Sequence, residues 1–153
     1  MKIEYINPFV EAAFDILKEI LNTNVIRGQL YLKKLGESMK GVAIIIGVVG
    51  NVKGRIVFDM SKETALKIAS HLNNEEFTTF DPMVQSTICE VANLIVGRSV
   101  TKLEKEKLSF GFTPPTLIIG DNLMFYEFGD MEALIIPLET DFGIIEINIA
   151  FID

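Results

Sequence analysis

Glu90 and Asn93 stand three residues apart, Ser86 lies four residues before the glutamate, and Gly97 lies four after the asparagine. On a helix that spacing stacks a hydroxyl, a carboxylate, a carboxamide and a gap along one ridge. The amide can donate one hydrogen bond and accept another while its charge stays fixed, and the carboxylate beside it can pair with a cation. Gly97 costs a helix about 1 kcal/mol relative to alanine. A position without a side chain, next to an acid and an amide, lets a second surface come close. The plainer reading, an exposed turn that tolerates a glycine, fits the same residues.

The helix that must carry this ridge is bounded by local signals. Asp81 is a good N-cap and Pro82 suits the first helical position. Apolar residues then recur at helical spacing to about Leu108, which predicts about 26 residues and about 39 Å of helix. Advancing about 100° per residue from Glu90 gathers Ile88, Val91, Ala92, Ile95, Val96, Ser99 and Leu103 on one core-facing side. Ser86, Glu90, Asn93, Gly97 and Thr101 fall on the other side, with Met83 and Leu94 beside them as apolar contacts.

Other constellations carry less. His71, the only histidine, falls in a short helix and reads as a surface or half-buried side chain. Cys89 flanks the motif with no histidine at a recognisable spacing, which argues against a nucleophile. A lone cysteine cannot close an internal disulfide, in keeping with a reducing compartment. No His, Cys and carboxylate residues converge at metal-ligand spacing, so no metal site is expected. Gly47, Gly50 and Gly54 lie between strands with no helix after them and read as turn and sheet glycines rather than a phosphate cradle. Asp121-Asn122 reads as a structural turn.

Composition bounds the rest. With 153 residues and 49% hydrophobic content, residues 1–153 are expected to form one domain burying roughly 68–70% of the unfolded surface. A net charge of −7 argues against a nucleic-acid partner. The densest basic stretch, Lys102 to Lys107, is interleaved with Glu104 and Glu106 and reads as a solvated helix end. The longest near-apolar run, Gly41 to Gly50, is too short to span a bilayer, and the start of the chain has no signal-peptide pattern. A cytoplasmic protein without membrane insertion is expected.

Along the chain, Asn7-Pro8 opens a first helix to about Leu21, with Phe9, Ala13, Ile16, Leu17 and Ile20 on one face. Strands are predicted over Val25–Leu35, Gly41–Val49 and Arg55–Met60, with a Gly50–Gly54 turn between the last two. Ser61 caps a short helix to about Leu72, and Asn73 to Phe80 form a polar connection. After the long helix, Pro114-Pro115 leads into strands over Thr116–Ile119, Leu123–Phe128, Glu132–Glu139 and Ile144–Ile152. Gly129-Asp130 and Thr140 to Gly143 supply the turns. The two halves look alike: Gly54-Arg55-Ile56-Val57-Phe58 matches Gly143-Ile144-Ile145-Glu146-Ile147, and Glu11-Ala12-Ala13-Phe14 stands where Glu90-Val91-Ala92-Asn93 stands later. The expected fold is α/β of the α+β type: pseudo-repeated helix-plus-three-strand units forming a mostly antiparallel sheet, with the long motif helix on one side.

Ser86-x-x-x-Glu90-x-x-Asn93, with Gly97 four beyond and Pro114-Pro115 about twenty beyond, resembles the signature of the CheC/CheX/FliY phosphatases of bacterial chemotaxis. The likeness extends through the Gly50–Gly54 turn, Glu63-Thr64-Ala65-Leu66-Lys67 and Lys102-Leu103-Glu104. With one motif rather than two, the chain is most similar to the CheX branch. The resemblance implies hydrolysis of the phosphoaspartate of a phosphorylated CheY-like receiver domain, which brings its own aspartate, Mg2+ and lysine, so that no cofactor of this chain's own is expected. Asn93 would orient the attacking water, as the water-positioning glutamine of GTPases does, and Glu90 would pair with the regulator's lysine. Ser86, Met83, Leu94 and Gly97 would meet the partner, and a homodimer is implied. Two alternatives stay open: a non-catalytic docking module for a response regulator or flagellar switch component, and a structural subunit whose polar ridge is a dimer contact.

Overall fold

The computed structural model describes residues 3–34, 38–125 and 132–152. Helix α1 (Ile3–Leu21) is followed by two short strands, β1 (Ile26–Arg27) and β2 (Tyr31–Lys34), and by a long hairpin, β3 (Gly41–Gly50) and β4 (Lys53–Ser61). Helices α2 (Lys62–Asn73) and α3 (Pro82–Lys105) come next. The chain then repeats the pattern with short strands β5 (Phe110–Phe112) and β6 (Thr116–Ile119) and a second long hairpin, β7 (Glu132–Thr140) and β8 (Gly143–Ile152). The described strands form one sheet in the order β1-β7-β8-β4-β3-β5, with β2 also on β7 and β6 also on β3, every pairing antiparallel.

That order reads as a palindrome. The hairpins meet at the centre through β4 and β8, where Phe58 faces Ile147, and each unit lends its short strands to the other unit's hairpin. The expected pseudo-repeat is therefore present, with its edge strands exchanged. Alternation along the central strands puts Val42, Ile44, Ile46, Ile56, Phe58, Met60, Ile145, Ile147 and Ile149 on the face covered by the helices, where they share one core with Phe9, Leu17, Ile68, Ile88, Ile95 and Leu103. The opposite face holds a small cluster of Ala133, Ile135 and Ala150.

Several boundaries differ from expectation. Helix α1 starts at Ile3 rather than Asn7, because Ile6 is buried and Tyr5 packs edge-on against Phe110 with ring centroids 5.7 Å apart. Pro8 is tolerated inside it since its missing N–H concerns only a carbonyl of the first turn. The predicted strand Val25–Leu35 is two strands. Gly28 N–H donates to the Pro137 carbonyl at 2.8 Å, and a Cβ there would press on the Pro137 ring at 3.1 Å, so the chain kinks between them; Leu35 lies outside the described residues. Strand β5 was not expected, being only three residues long. Over Leu123–Phe128 the described part shows an isolated bridge, Ser38 to Met124, instead of a strand. The rest of that segment and the Gly129-Asp130 turn lie outside the described residues. Helix α3 stops at Lys105 rather than Leu108: Lys107 takes a left-handed backbone (φ 59°), and Leu108 N–H returns to the Leu103 carbonyl at 2.9 Å, closing the helix end.

Candidate functional site

The Asp81 carboxylate accepts from Val84 N–H at 3.2 Å and Pro82 enters the first turn, so α3 begins where its sequence signals place it. Val84, Ile88, Val91, Ala92, Ile95, Val96, Ser99 and Leu103 are buried, which fixes the rotation of the helix about its axis. Ser86, Glu90, Asn93, Gly97 and Thr101 are in consequence exposed along its outer side. Met83 and Leu94 join them, 53% and 39% exposed, two apolar side chains left in water beside the acid and the amide. All six expected site residues thus share one ridge.

Among the described residues, no hydrogen bond or ion pair engages the side chains of Ser86, Glu90 or Asn93. Their polar atoms face solvent with their full capacity for an incoming ligand. Around Gly97 nothing lies within 4 Å of where a Cβ would stand. The glycine is therefore not required by packing within the chain, and its helix cost has no internal compensation.

The flanks of the ridge are held. Arg98 forms a two-pronged hydrogen-bonded pair with Glu19 of α1, both contacts 3.1 Å. Lys102, read from sequence as part of a solvated helix end, instead lies 3.5 Å from both Glu11 and Asp15 and ties α3 to α1. On the α2 side, Asn73 donates to Thr87 Oγ1 at 2.8 Å. That contact was not legible in sequence; the only signal was a pair of asparagines at a helix end. Cys89 is half-buried, and burial pushes its thiol pKa up, which disfavours the thiolate. His71 Nε2 meets the Leu21 carbonyl at 2.8 Å and its ring lies against Phe142, a structural position. Asp121 accepts from Lys62 Nζ at 3.0 Å, and Gly50 (φ 118°) turns the β3–β4 hairpin. Pro114-Pro115 falls between β5 and β6, after Thr113, which exchanges backbone and side-chain hydrogen bonds with Gly47. No group of three or more His, Cys, Asp or Glu suited to a metal occurs among the described residues.

The whole architecture is that of CheC-like proteins: a CheC-like superfamily protein from Shewanella sp. PV-4 superposes with a TM-score of 0.89 over 100% of both chains, at 25% identity. Within that class the match narrows, because the family model described as chemotaxis phosphatase CheX matches residues 42–139, from β3 through α3 to β7. The chain belongs to the CheX family of chemotaxis phosphatases. It is 43% identical, with a TM-score of 0.85, to a chain of the CheX–CheY–BeF3–Mg2+ complex from Borrelia burgdorferi, covering 99% of this chain and 100% of that one. It is 26% identical over 147 residues to the CheY-P phosphatase CheX of Thermotoga maritima, covering 94% and 95% of the two chains.

Proposed function

We propose that this chain hydrolyses the phosphoaspartate of a CheY-like receiver domain, with Asn93 orienting the attacking water and Glu90 pairing with the receiver's lysine. The observation that carries this reading is the exposed Glu90–Asn93 pair, one helical turn apart and unengaged by its own chain. The Thermotoga relative named as a CheY-P phosphatase, and the Borrelia CheX relative in complex with CheY, BeF3 and Mg2+, support it.

In the reaction, water oxygen attacks phosphorus, the bond from phosphorus to the aspartyl oxygen breaks, and inorganic phosphate and a free carboxylate result. Mg2+ bound in the receiver would neutralise charge on the phosphoryl oxygens. Asn93 accepts a hydrogen bond from the water through its side-chain carbonyl and holds the water in line with phosphorus, so that its contribution is positional. Glu90 fixes the register of docking by a charge pair that is desolvated only in the complex. Ser86, Met83 and Leu94 supply contact, and Gly97 leaves space for the entering surface. The reading requires no cofactor in this chain and places it in the cytoplasm with its partner; no described helix is long and apolar enough to cross a membrane.

A homodimer is part of the same proposal. On one sheet edge the prolines 114 and 115 interrupt the β5–β6 line and offer no N–H for pairing. On the other, β1 and β2 leave Ile26 and Leu32 exposed at 60% and 62%, an apolar edge that a second copy would cover.

The decisive experiment is phosphate release from a panel of phosphorylated receiver domains by wild type and Asn93→Ala. Acceleration by the wild type and none by the variant is expected. A chain that binds a phosphoaspartate mimic yet leaves hydrolysis unchanged would instead be a docking module.

A further inference from the structure

The docking half of α3 is held to α2 by a closed hydrogen-bond chain. Asn73, the last residue of α2, spends both hydrogens of its side-chain amide, one on the Ala69 carbonyl and one on Thr87 Oγ1, each at 2.8 Å. The Thr87 hydroxyl hydrogen goes to the Met83 carbonyl, also at 2.8 Å, so its oxygen accepts from Asn73. Every donor in the chain is used once and every direction is fixed. Asn73 and Thr87 are both half-buried, so this restraint is less diluted by water than the Arg98–Glu19 pair at the far flank, whose members are 36% and 58% exposed.

Its position matters. Thr87 lies one turn before Glu90 and about 60° around the helix from it, and its partner carbonyl belongs to Met83, an exposed residue of the ridge. Immediately after Asn73 the chain reverses through Asn74, which takes a left-handed backbone (φ 52°, ψ 41°), and reaches α3 only at Asp81. The connecting loop is itself tied to both helices, Phe77 N–H donating to Ser70 Oγ at 3.0 Å and Gln85 Nε2 to the Phe80 carbonyl at 2.9 Å, and the Asn73–Thr87 contact adds a direct side-chain restraint between α2 and α3 from the flank. Val84 and Ile88 hold the inner face of those turns, while the polar chain holds their flank.

We infer that Asn73 and Thr87 are positioning residues for the Glu90–Asn93 ridge, acting through one shared hydrogen bond. This deepens, and rests on, the hydrolytic reading above. A small rotation or slide of the first two turns would move Glu90 and Met83 relative to the partner and displace Asn93 from the water. A displacement of about 1 Å at a reacting group can cost on the order of a hundredfold. A flank restraint of this kind should account for on the order of tenfold.

The test is steady-state hydrolysis of a phosphorylated receiver domain, at a temperature well below the melting point of every variant, with melting curves taken in parallel. Asn73→Ala and Thr87→Val should each lower kcat/KM on the order of tenfold, with the double variant no worse than either single one. Thr87→Ser, which keeps the hydroxyl, should return kcat/KM to near the wild-type value even where its melting point stays lowered. Independent, additive losses, or failure of Thr87→Ser to restore the rate, would overturn the inference. If wild type is active and Asn93→Ala inactive, yet Asn73→Ala and Thr87→Val retain wild-type kcat/KM, this inference alone falls. A wild type that hydrolyses no receiver in the panel removes the functional reading and this inference with it.

Discussion

Asn93 has nothing to do for its own fold: it is exposed, and no described residue of the chain bonds its amide. Losing one well-placed contact to a reacting centre costs roughly 2.7–4 kcal/mol, or 10²–10³ in rate. Asn93→Ala should therefore lose hydrolysis by about that factor in a phosphate-release assay while melting unchanged and docking with most of its affinity. Glu90→Ala should weaken binding in a titration against the receiver as well as slow turnover, because its proposed pair forms only in the complex; undiminished affinity would remove Glu90 from docking. Gly97 gives a test of opposite signs. A methyl group there meets nothing in the chain, so Gly97→Ala should stabilise α3 by about 1 kcal/mol. If the gap serves the partner, the same variant should bind and hydrolyse less well, and a more stable variant with full affinity would return Gly97 to the plainer reading of a tolerated glycine.

At the scale of elements, the ridge was legible because it is written in helical periodicity. The buried positions of α3 include every residue of the expected core face and add Val84 in the first turn, and Asp81 and Ser61 cap their helices as their side-chain chemistry dictates. Less legible was what strands do to one another. Asp59 of β4 and Glu146 of β8 stand directly opposite across the sheet. Asp59 is 2% exposed, and burial pushes its pKa up to about 6 against the hydrogen bond it accepts from Lys40 N–H at 2.9 Å. Burial also works against ionisation of Glu146, but hydrogen bonds from Lys40 and Tyr31 and the charges of Lys40 and Lys33 outweigh it and leave that carboxyl below its ordinary value. The two have opposite consequences. The folded chain keeps a proton on Asp59 that the unfolded chain releases, so the stability this group contributes is full below pH 3.8 and is lost as pH rises through about 6. Glu146 contributes stability above its ordinary pKa and loses it as pH falls through the lowered one. Asp59→Asn keeps an oxygen for Lys40 N–H and removes the buried charge. It should raise stability at neutral pH by on the order of 1–3 kcal/mol, seen as a higher melting temperature, and flatten the decline between pH 4 and 6. An unchanged pH profile would mean that Asp59 titrates normally.

For the whole molecule, the exchange of short strands between the two units is the decisive feature. It puts β1 and β2 on β7, far along the chain, and β5 and β6 on β3, so neither half completes its sheet without the other. The same exchange leaves two unlike edges. The β5–β6 edge is interrupted by prolines; the β1–β2 edge presents Ile26 and Leu32 to water. Sedimentation should find a dimer, and Leu32→Lys should shift it toward monomer, since a charge on an edge strand opposes pairing with another sheet. A wild-type monomer at every concentration would remove the dimer and leave the ridge on α3 untouched.

Sequence alone determined that there are three helices, the N-caps of α2 and α3, the two long hairpins and the face of α3 on which Glu90, Asn93 and Gly97 stand. Each of these is set within a few turns of chain, by backbone geometry and by the period at which apolar side chains recur. Only the tertiary structure decided which unit receives each short strand, where α1 begins, that Lys102 reaches α1, and that Asn73 reaches Thr87. Those outcomes depend on atoms brought together from distant positions, and the energy of such a contact exists only once the rest of the fold has brought its two ends within a few ångströms.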